Sequence, residues 1–313
     1  MNIKNDIKNI VIAGTGVMGA SFAQIFAQYG FNVVLYDIFE EAILKGKKLI
    51  SMNQANAIEE GIISPEESHS IVSNISYTMD KECFESADFV IEAIAEKLEI
   101  KDKFWKEISA LAPEKAILTT NTSGLSINSI AESVNIPERF CGMHWVNPPH
   151  IIPLVEIIAG DKTKEDTLEI VRELALYIDR KPVTVKKDIS GFVLNRLQYA
   201  LLREAFYIVE NGAASIEDVD NVMKYGLGRR YACIGPFETI DFGGIDTFYN
   251  VGSYMFRELS NSQEVSKLLR ELYEEGAYGV KTGKGFYDYS GDKAEKAIEK
   301  RDKDFMKVSK SLL

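Results

Sequence analysis

The apolar run Ile10 to Ala13 passes directly into Gly14-Thr15-Gly16-Val17-Met18-Gly19, and a helix-like stretch from Ala20 to Tyr29 follows without interruption. Few folds accept a strand, glycines at this spacing and a helix in that order. Glycine at 14 permits the tight turn out of the strand, at 16 it lets the backbone approach a pyrophosphate, and at 19 it lets helix and strand pack closely. Val17 and Met18 complete the glycine segment ahead of the helix, whose N-terminus, with its unpaired N–H groups and dipole, attracts phosphate. The order predicts a dinucleotide site; the plainer alternative is a glycine turn that holds no ligand.

The next apolar run, Val33 to Tyr36, ends in Asp37, about twenty residues beyond the glycines, where a ribose-binding acid belongs. Its carboxylate can accept hydrogen bonds from the adenosine ribose hydroxyls and repels a 2′-phosphate, and no Arg follows closely to receive one. NAD rather than NADP is the expected cofactor.

Runs at Phe89 to Ile94 and Ile117 to Thr120 continue the alternation of strand and helix, and Phe140 to Trp145, Leu154 to Ile158 and Val183 to Val185 extend it. Such alternation predicts βαβ units in a mostly parallel, doubly wound α/β sheet of Rossmann type. Beyond Lys187 the strand-like runs stop. Val193, Leu197, Leu201 and Ile208 fall on one face of a helix, Gly212 ends it, and Ser215, three residues before Asp218, caps the next. The expected organisation is an NAD-binding domain over 1–187 and an all-α domain over 188–313.

With 46% hydrophobic and 27% charged residues, the chain has material for a substantial core. Its net charge of -11, with no basic face, argues against a nucleic-acid partner. No apolar run of about eighteen residues occurs, and the polar stretch Met1 to Lys8 is no secretory leader. A cytoplasmic protein without a membrane partner is expected. Cys83, Cys141 and Cys233 are far apart and odd in number, which suggests reduced thiols. Neither they nor His69, His144 and His150 show metal-ligand spacing, so no metal is expected.

Two polar residues interrupt strand-like runs: His144 in Cys141 to Trp145, and Glu156 in Leu154 to Ile158. If Asn147-Pro148-Pro149 folds the chain back, the carboxylate can bind one imidazole nitrogen, fix the tautomer and raise its basicity. The other nitrogen then faces the cleft as a general base for an alcohol proton. A core histidine satisfied by a nearby glutamate has the same spacing.

The glycine loop, Asn121-Thr122-Ser123, Gly142-Met143-His144 with Asn147-Pro148, Leu154-Val155-Glu156, Gly191-Phe192-Val193-Leu194-Asn195-Arg196, Gly235-Pro236-Phe237-Glu238 and Lys281-Thr282-Gly283-Lys284-Gly285-Phe286-Tyr287 occur in this order. Through them the chain, from Ile10 to about Tyr289, resembles the L-3-hydroxyacyl-CoA dehydrogenase family. That resemblance implies interconversion of an L-3-hydroxyacyl-CoA and its 3-keto form, with His144 as base and Glu156 as its partner. Ser123 and Asn195 would bond the reacting oxygen. On the cofactor side it implies Glu96, Lys101 and Asn147 near the nicotinamide ribose, together with Asn121, Ser123 and Lys281. A helical substrate-binding domain that forms a symmetric homodimer is also implied. On their own residues, Ser123 can be a turn hydroxyl, Asn195 can satisfy local backbone, and Glu96 and Lys101 can belong to a solvated charged loop.

Two features depart from the acyl-CoA pattern. Leu49 to Asp80 contains no Lys or Arg and includes Glu59, Glu60, Glu66 and Glu67, which would repel CoA phosphates, although Lys45, Lys47 and Lys48 precede it. His144 to His150 and Gly226 to Ala232 resemble instead the branch containing L-gulonate 3-dehydrogenase, lambda-crystallin and a pyridine-carboxylate dehydrogenase. There Arg230 would pair with a substrate carboxylate, if it is not simply a surface arginine. A free hydroxy acid is therefore the alternative substrate to a short 3-hydroxyacyl-CoA. Readings of other classes are a non-catalytic NAD-binding structural protein and a methyltransferase using the glycine loop for S-adenosylmethionine. The set Ser123, His144, Glu156 and Asn195 opposes the first, and Asp37 with the His144 and Glu156 pair opposes the second.

Overall fold

A computed structural model describes residues 3–312 of the chain. Alternation along the first strand, β1 (Asn9–Ala13), sets the layers: Ile10 and Ile12 enter one apolar cluster and Val11 and Ala13 the other. A strand buried on both faces needs a covering layer on each side. On the first face the helices Val17–Gln28 and Glu165–Tyr177 supply Phe22, Phe26, Val171 and Leu174. On the second, Leu98–Leu111 and Ile127–Ala131 supply Trp105, Ile108, Ile127 and Ile130. Each such side chain, fully buried, contributes about 1.5–3 kcal/mol relative to leaving it in water.

The remaining strands are β2 (Asn32–Tyr36), β3 (Ile75–Thr78), β4 (Phe89–Glu92), β5 (Ile117–Thr120), β6 (Phe140–Trp145), β7 (Leu154–Ile158) and β8 (Lys181–Val185). They form one sheet in the order β3-β2-β1-β4-β5-β6-β7-β8. All neighbours are parallel except β6 and β7, which run antiparallel because the segment around Asn147-Pro148-Pro149 folds the chain back. The mostly parallel, doubly wound sheet is the architecture expected above.

Two details differ from the apolar runs. β3 was not among the expected strands: its residues Ile-Ser-Tyr-Thr form a sheet edge on which only Ile75 is buried, so the run carries little apolar signal. The run Phe89 to Ile94 stops as a strand at Glu92, because Ala93 N donates to Ala13 O and Ile94 N donates to the Glu92 carboxylate, which turns the chain out of the sheet.

This sheet unit is compact as far as Arg196, and a second unit begins at Leu197. The second unit is helical, with Ile216–Val222, Pro236–Gly243, Ile245–Glu258, Lys267–Glu274 and Lys293–Leu312 following the helix Leu194–Glu210. Gly212, at φ 69°, ends that first helix, and Ser215 caps the next by accepting from Asp218 N. Ser260 N donates to Glu204 and Ser266 Oγ to Glu210, so the loop before Lys267–Glu274 is tied back to the first helix.

Candidate active site

In an open parallel sheet, ligands gather outside the carboxyl ends of the strands at the point where the strand order reverses, here between β1 and β4. Along that edge stand Asp37 after β2, the glycine loop after β1, Glu92 and Glu96 at and beyond the end of β4, Asn121 to Ser123 after β5, and His144 near the end of β6.

The three glycines differ in what surrounds them. Gly14 has φ 101°, and a Cβ there would lie 2.5 Å from Ala93 O. At Gly19 a Cβ would lie 1.8 Å from Gly14 O, so helix and loop touch through the missing side chain. A Cβ at Gly16 would meet nothing within 4 Å. Packing therefore does not explain that glycine, which stands at the open N-terminus of the helix Val17–Gln28. Asp37 is held by the same loop: its Oδ2 accepts from both N and Oγ1 of Thr15 at 3.0 Å, and its Oδ1 from Phe39 N at 3.2 Å. The loop and the end of β2 are thus one rigid cradle suited to a dinucleotide. Thr15 is absent from the sequence-derived site; its only signal is a hydroxyl inside the glycine motif.

Glu96 lies on an exposed bend, but Lys101 is buried in the helix Leu98–Leu111 that follows. The Lys101 side chain is 1% exposed, and its Nζ donates to Glu92 Oε1 at 2.5 Å and lies 3.2 Å from Glu96 Oε2. Glu92, fully buried, also accepts from Ile94 N and Thr120 Oγ1. Glu96 Oε1 accepts from Thr122 Oγ1 at 2.6 Å and Ser123 N at 2.8 Å. Burial pushes the Glu96 carboxyl up, but the Thr122 hydroxyl, the Lys101 charge and the Ser123 N–H together hold it below its ordinary value. Glu92 escaped the sequence reading, although it breaks an apolar run just as His144 and Glu156 do.

His144 and Glu156 are direct cross-strand partners, and Nδ1 lies 2.8 Å from Oε2 with both side chains buried. The second oxygen, Oε1, accepts from Val193 N and Leu194 N, each at 2.9 Å. Burial raises the carboxyl, yet the bond from His144 and the two backbone N–H groups outweigh it and leave Glu156 below its ordinary value. An ionised carboxylate only accepts, so the shared hydrogen sits on Nδ1, and in the neutral imidazole the lone pair is then on Nε2. Phe192, fully buried, packs 5.7 Å from the imidazole, ring centre to ring centre.

Asn195, 72 residues from Ser123, donates from Nδ2 to Ser123 O at 2.6 Å. The Ser123 side chain is exposed, while Asn121 Oδ1 accepts from Trp145 N and fastens the end of β6 beside β5. Asn147, exposed, begins the cis Asn147-Pro148 peptide just beyond β6. The structure therefore brings Glu96, Lys101, Ser123 and Asn195 into one connected set, with His144 and Glu156 linked to it through the segment Val193 to Asn195. Arg230 and Lys281 belong to the second unit, where each is exposed. Arg230 lies in the short helix Gly228–Tyr231 after a π-helical turn, Met223–Leu227.

A dinucleotide cradle beside a carboxylate-oriented imidazole defines a nicotinamide-dependent dehydrogenase. Residues 9–189 match the family model for the 3-hydroxyacyl-CoA dehydrogenase NAD binding domain, and residues 191–289 match that for the 3-hydroxyacyl-CoA dehydrogenase C-terminal domain. The chain belongs to the 3-hydroxyacyl-CoA dehydrogenase family. It is 36% identical to a 5-formyl-3-hydroxy-2-methylpyridine 4-carboxylate 5-dehydrogenase of Mesorhizobium japonicum, over 98% of each chain. It is 39% identical to a probable 3-hydroxybutyryl-CoA dehydrogenase of Bacillus subtilis, over 91% of this chain and 98% of that one. A crystal structure of a 5-formyl-3-hydroxy-2-methylpyridine 4-carboxylic acid 5-dehydrogenase superposes with a TM-score of 0.90 at 36% identity and 98% coverage of both chains. The protein is an NAD-dependent dehydrogenase acting on a CH–OH group. No helix among the described residues is long and apolar enough to cross a membrane.

Proposed function

We propose that the chain interconverts the alcohol and carbonyl forms of a small substrate that carries its own carboxylate, with His144 as general base. The observation that carries the chemistry is the 2.8 Å contact between His144 Nδ1 and Glu156 Oε2, which in the neutral imidazole makes Nε2 the proton acceptor. The cradle around the glycine loop would hold NAD, which would supply the hydride acceptor for the carbinol carbon. His144 Nε2 takes the hydroxyl proton as that carbon is oxidised, and Glu156 stabilises the imidazolium that forms. Ser123 and Asn195 are assigned to the reacting oxygen; the bond from Asn195 to Ser123 O supports that pairing. Asp37 with Gly14, Gly16, Val17, Met18 and Gly19 holds the adenosine and pyrophosphate half. Glu96, Lys101, Asn121 and Asn147 serve the nicotinamide half, and Lys281 is kept as a further cofactor contact.

The likeness to pyridine-carboxylate dehydrogenases over 98% of the chain favours a carboxylate substrate, as does the absence of Lys and Arg from Leu49 to Asp80. Arg230, which has no ion-pair partner among the described residues, is assigned to that carboxylate. A short 3-hydroxyacyl-CoA is the second reading, favoured by the Bacillus relative and by the family match itself. Absorbance of the reduced nicotinamide, followed with free hydroxy acids and with acetoacetyl-CoA, tests both.

We assign a homodimer to the second unit. No residue of Ile245–Glu258 is buried, and Phe237, Phe242, Tyr249 and Phe256 are 76–81% exposed in the single chain. So many uncovered rings call for a partner surface. Light scattering should give twice the chain mass, and a lone 35.1 kDa species would reject it. A reducing, cytoplasmic setting suits Cys83, Cys141 and Cys233, all free thiols.

A further inference from the structure

Among the described residues, Glu92 is the one fully buried carboxylate that the chemistry above leaves without a task. It sits in register with Ala13, the last residue before the glycine loop, and with Thr120, two residues before Thr122. It is therefore at the reversal point of the sheet, beneath the edge where a bound dinucleotide crosses from β1 toward β5. Its neighbours in β4, Phe89, Val90 and Ile91, are buried and apolar. A further apolar residue would suit the strand, and an apolar pair in place of a buried ion pair is often no less stable. Stability alone does not account for a carboxylate here.

What the carboxylate does is hold an ammonium. Lys101 Nζ is bound by Glu92 at 2.5 Å and lies 3.2 Å from Glu96. Glu96, 45% exposed, spends its other oxygen on Thr122 Oγ1 and Ser123 N. The contacts run without a break from the sheet interior, Glu92 to Lys101 to Glu96, to the Ser123 loop. Across the strand ends, Asp37 after β2 marks the adenosine side and the glycines after β1 the pyrophosphate. The groups after β4 and β5 consequently face the nicotinamide half.

We propose that Glu92 is a positioning residue for the nicotinamide half of the cofactor site, acting through Lys101 and Glu96. The inference rests on the NAD-site reading given above. Neutralising Glu92 leaves Lys101 with Glu96 alone; the ammonium moves outward and Glu96 shifts on the Ser123 loop. The adenosine half, built on β1 and β2, is unaffected.

Binding of NADH and of ADP, which lacks the nicotinamide riboside, separates this role from general loss of structure. In Glu92→Gln the Kd for NADH should rise about tenfold or more, while that for ADP changes by less than about twofold. Glu92→Asp keeps the charge but withdraws it by one methylene; it guards against a misfolded Gln variant and should show the same selective loss, about threefold. An NADH Kd within about twofold of wild type in both variants, or equal losses for NADH and ADP, overturns the proposal. Wild-type protein that binds ADP but not NADH overturns the cofactor reading, and this inference with it.

Discussion

His144 and Glu156 face each other directly across β6 and β7, and the one carboxylate both orients the imidazole and anchors the start of the helix Leu194–Glu210 through Val193 N and Leu194 N. That helix start carries Asn195, so the carboxylate that sets the tautomer also sets the distance from Asn195 to Ser123. The anchorage has a cost: Phe192, immediately before Val193, is held at φ 52°. A non-glycine residue there stores on the order of 1–3 kcal/mol, which persists only where surrounding contacts fix it. Burial of the Phe192 ring against His144 and the two bonds to Glu156 do so.

Replacing His144 separates chemistry from binding. His144→Gln should lower turnover by about a hundredfold or more. The NADH affinity should stay within about twofold of wild type, because the cradle is built on β1 and β2. Single-turnover absorbance and a binding titration measure the two quantities; near-normal turnover would make His144 a core histidine.

Glu156→Gln should cost about ten- to a hundredfold in turnover, the usual penalty for losing the group that orients a histidine. It should also change the acid response. The folded-state carboxyl lies below its ordinary 4.5, so its ionised form contributes stability that is fully present above that value. This contribution is lost as pH falls from 4.5 through the depressed value. Denaturant midpoints measured through that window should fall less steeply in Glu156→Gln than in wild type. Parallel curves would reject the linkage.

How much could be read beforehand depends on range. His144 and Glu156 are legible because a polar group inside an apolar run is conspicuous, and the turn between them is short. Glu92 offers the same signal but no visible partner, because Lys101 lies in a segment whose sequence has the character of a charged surface loop. The bond from Asn195 to Ser123 spans 72 residues, and no periodicity announces it. β3 escaped because an edge strand with one buried residue has no apolar pattern to show. By contrast the order of strand, glycines and helix left little freedom, and the sheet followed from it.

Gly16 and Gly19 should fail differently. Gly19→Ala drives a Cβ to 1.8 Å from Gly14 O and should destabilise the fold, by about 1–3 kcal/mol or more, as overpacking does. Gly16→Ala meets nothing within 4 Å, so Tm should fall little, while NADH binding should weaken about tenfold or more because the methyl occupies the pyrophosphate's approach. Thermal melts with and without NADH distinguish the two. Equal melting points with intact NADH binding in Gly16→Ala would mean that the loop does not carry the phosphates.

The substrate decides between the two readings, and Arg230 is the residue on which they differ. A guanidinium offers a planar fork that matches a carboxylate, and charge-assisted bonds of this kind contribute about 1.5–3 kcal/mol, roughly ten- to a hundredfold in binding. The second reading needs cations for the CoA phosphates; of Lys45, Lys47 and Lys48 in the long helix Glu40–Glu59, Lys47 already lies 4.8 Å above the Tyr77 ring, and the following Glu59, Glu60, Glu66 and Glu67 oppose an anion. Catalytic efficiency should therefore be at least as high with a free hydroxy acid as with a CoA thioester. Arg230→Ala should lower kcat/KM for the acid about tenfold or more while leaving acetoacetyl-CoA reduction nearly unchanged. The measurement is a panel of free 3-hydroxy acids and pyridine carboxylates beside acetoacetyl-CoA, in wild type and Arg230→Ala. A strong preference for acetoacetyl-CoA, unaltered by the substitution, would assign the phosphates to Lys45, Lys47 or Lys48 and the substrate to the acyl-CoA class.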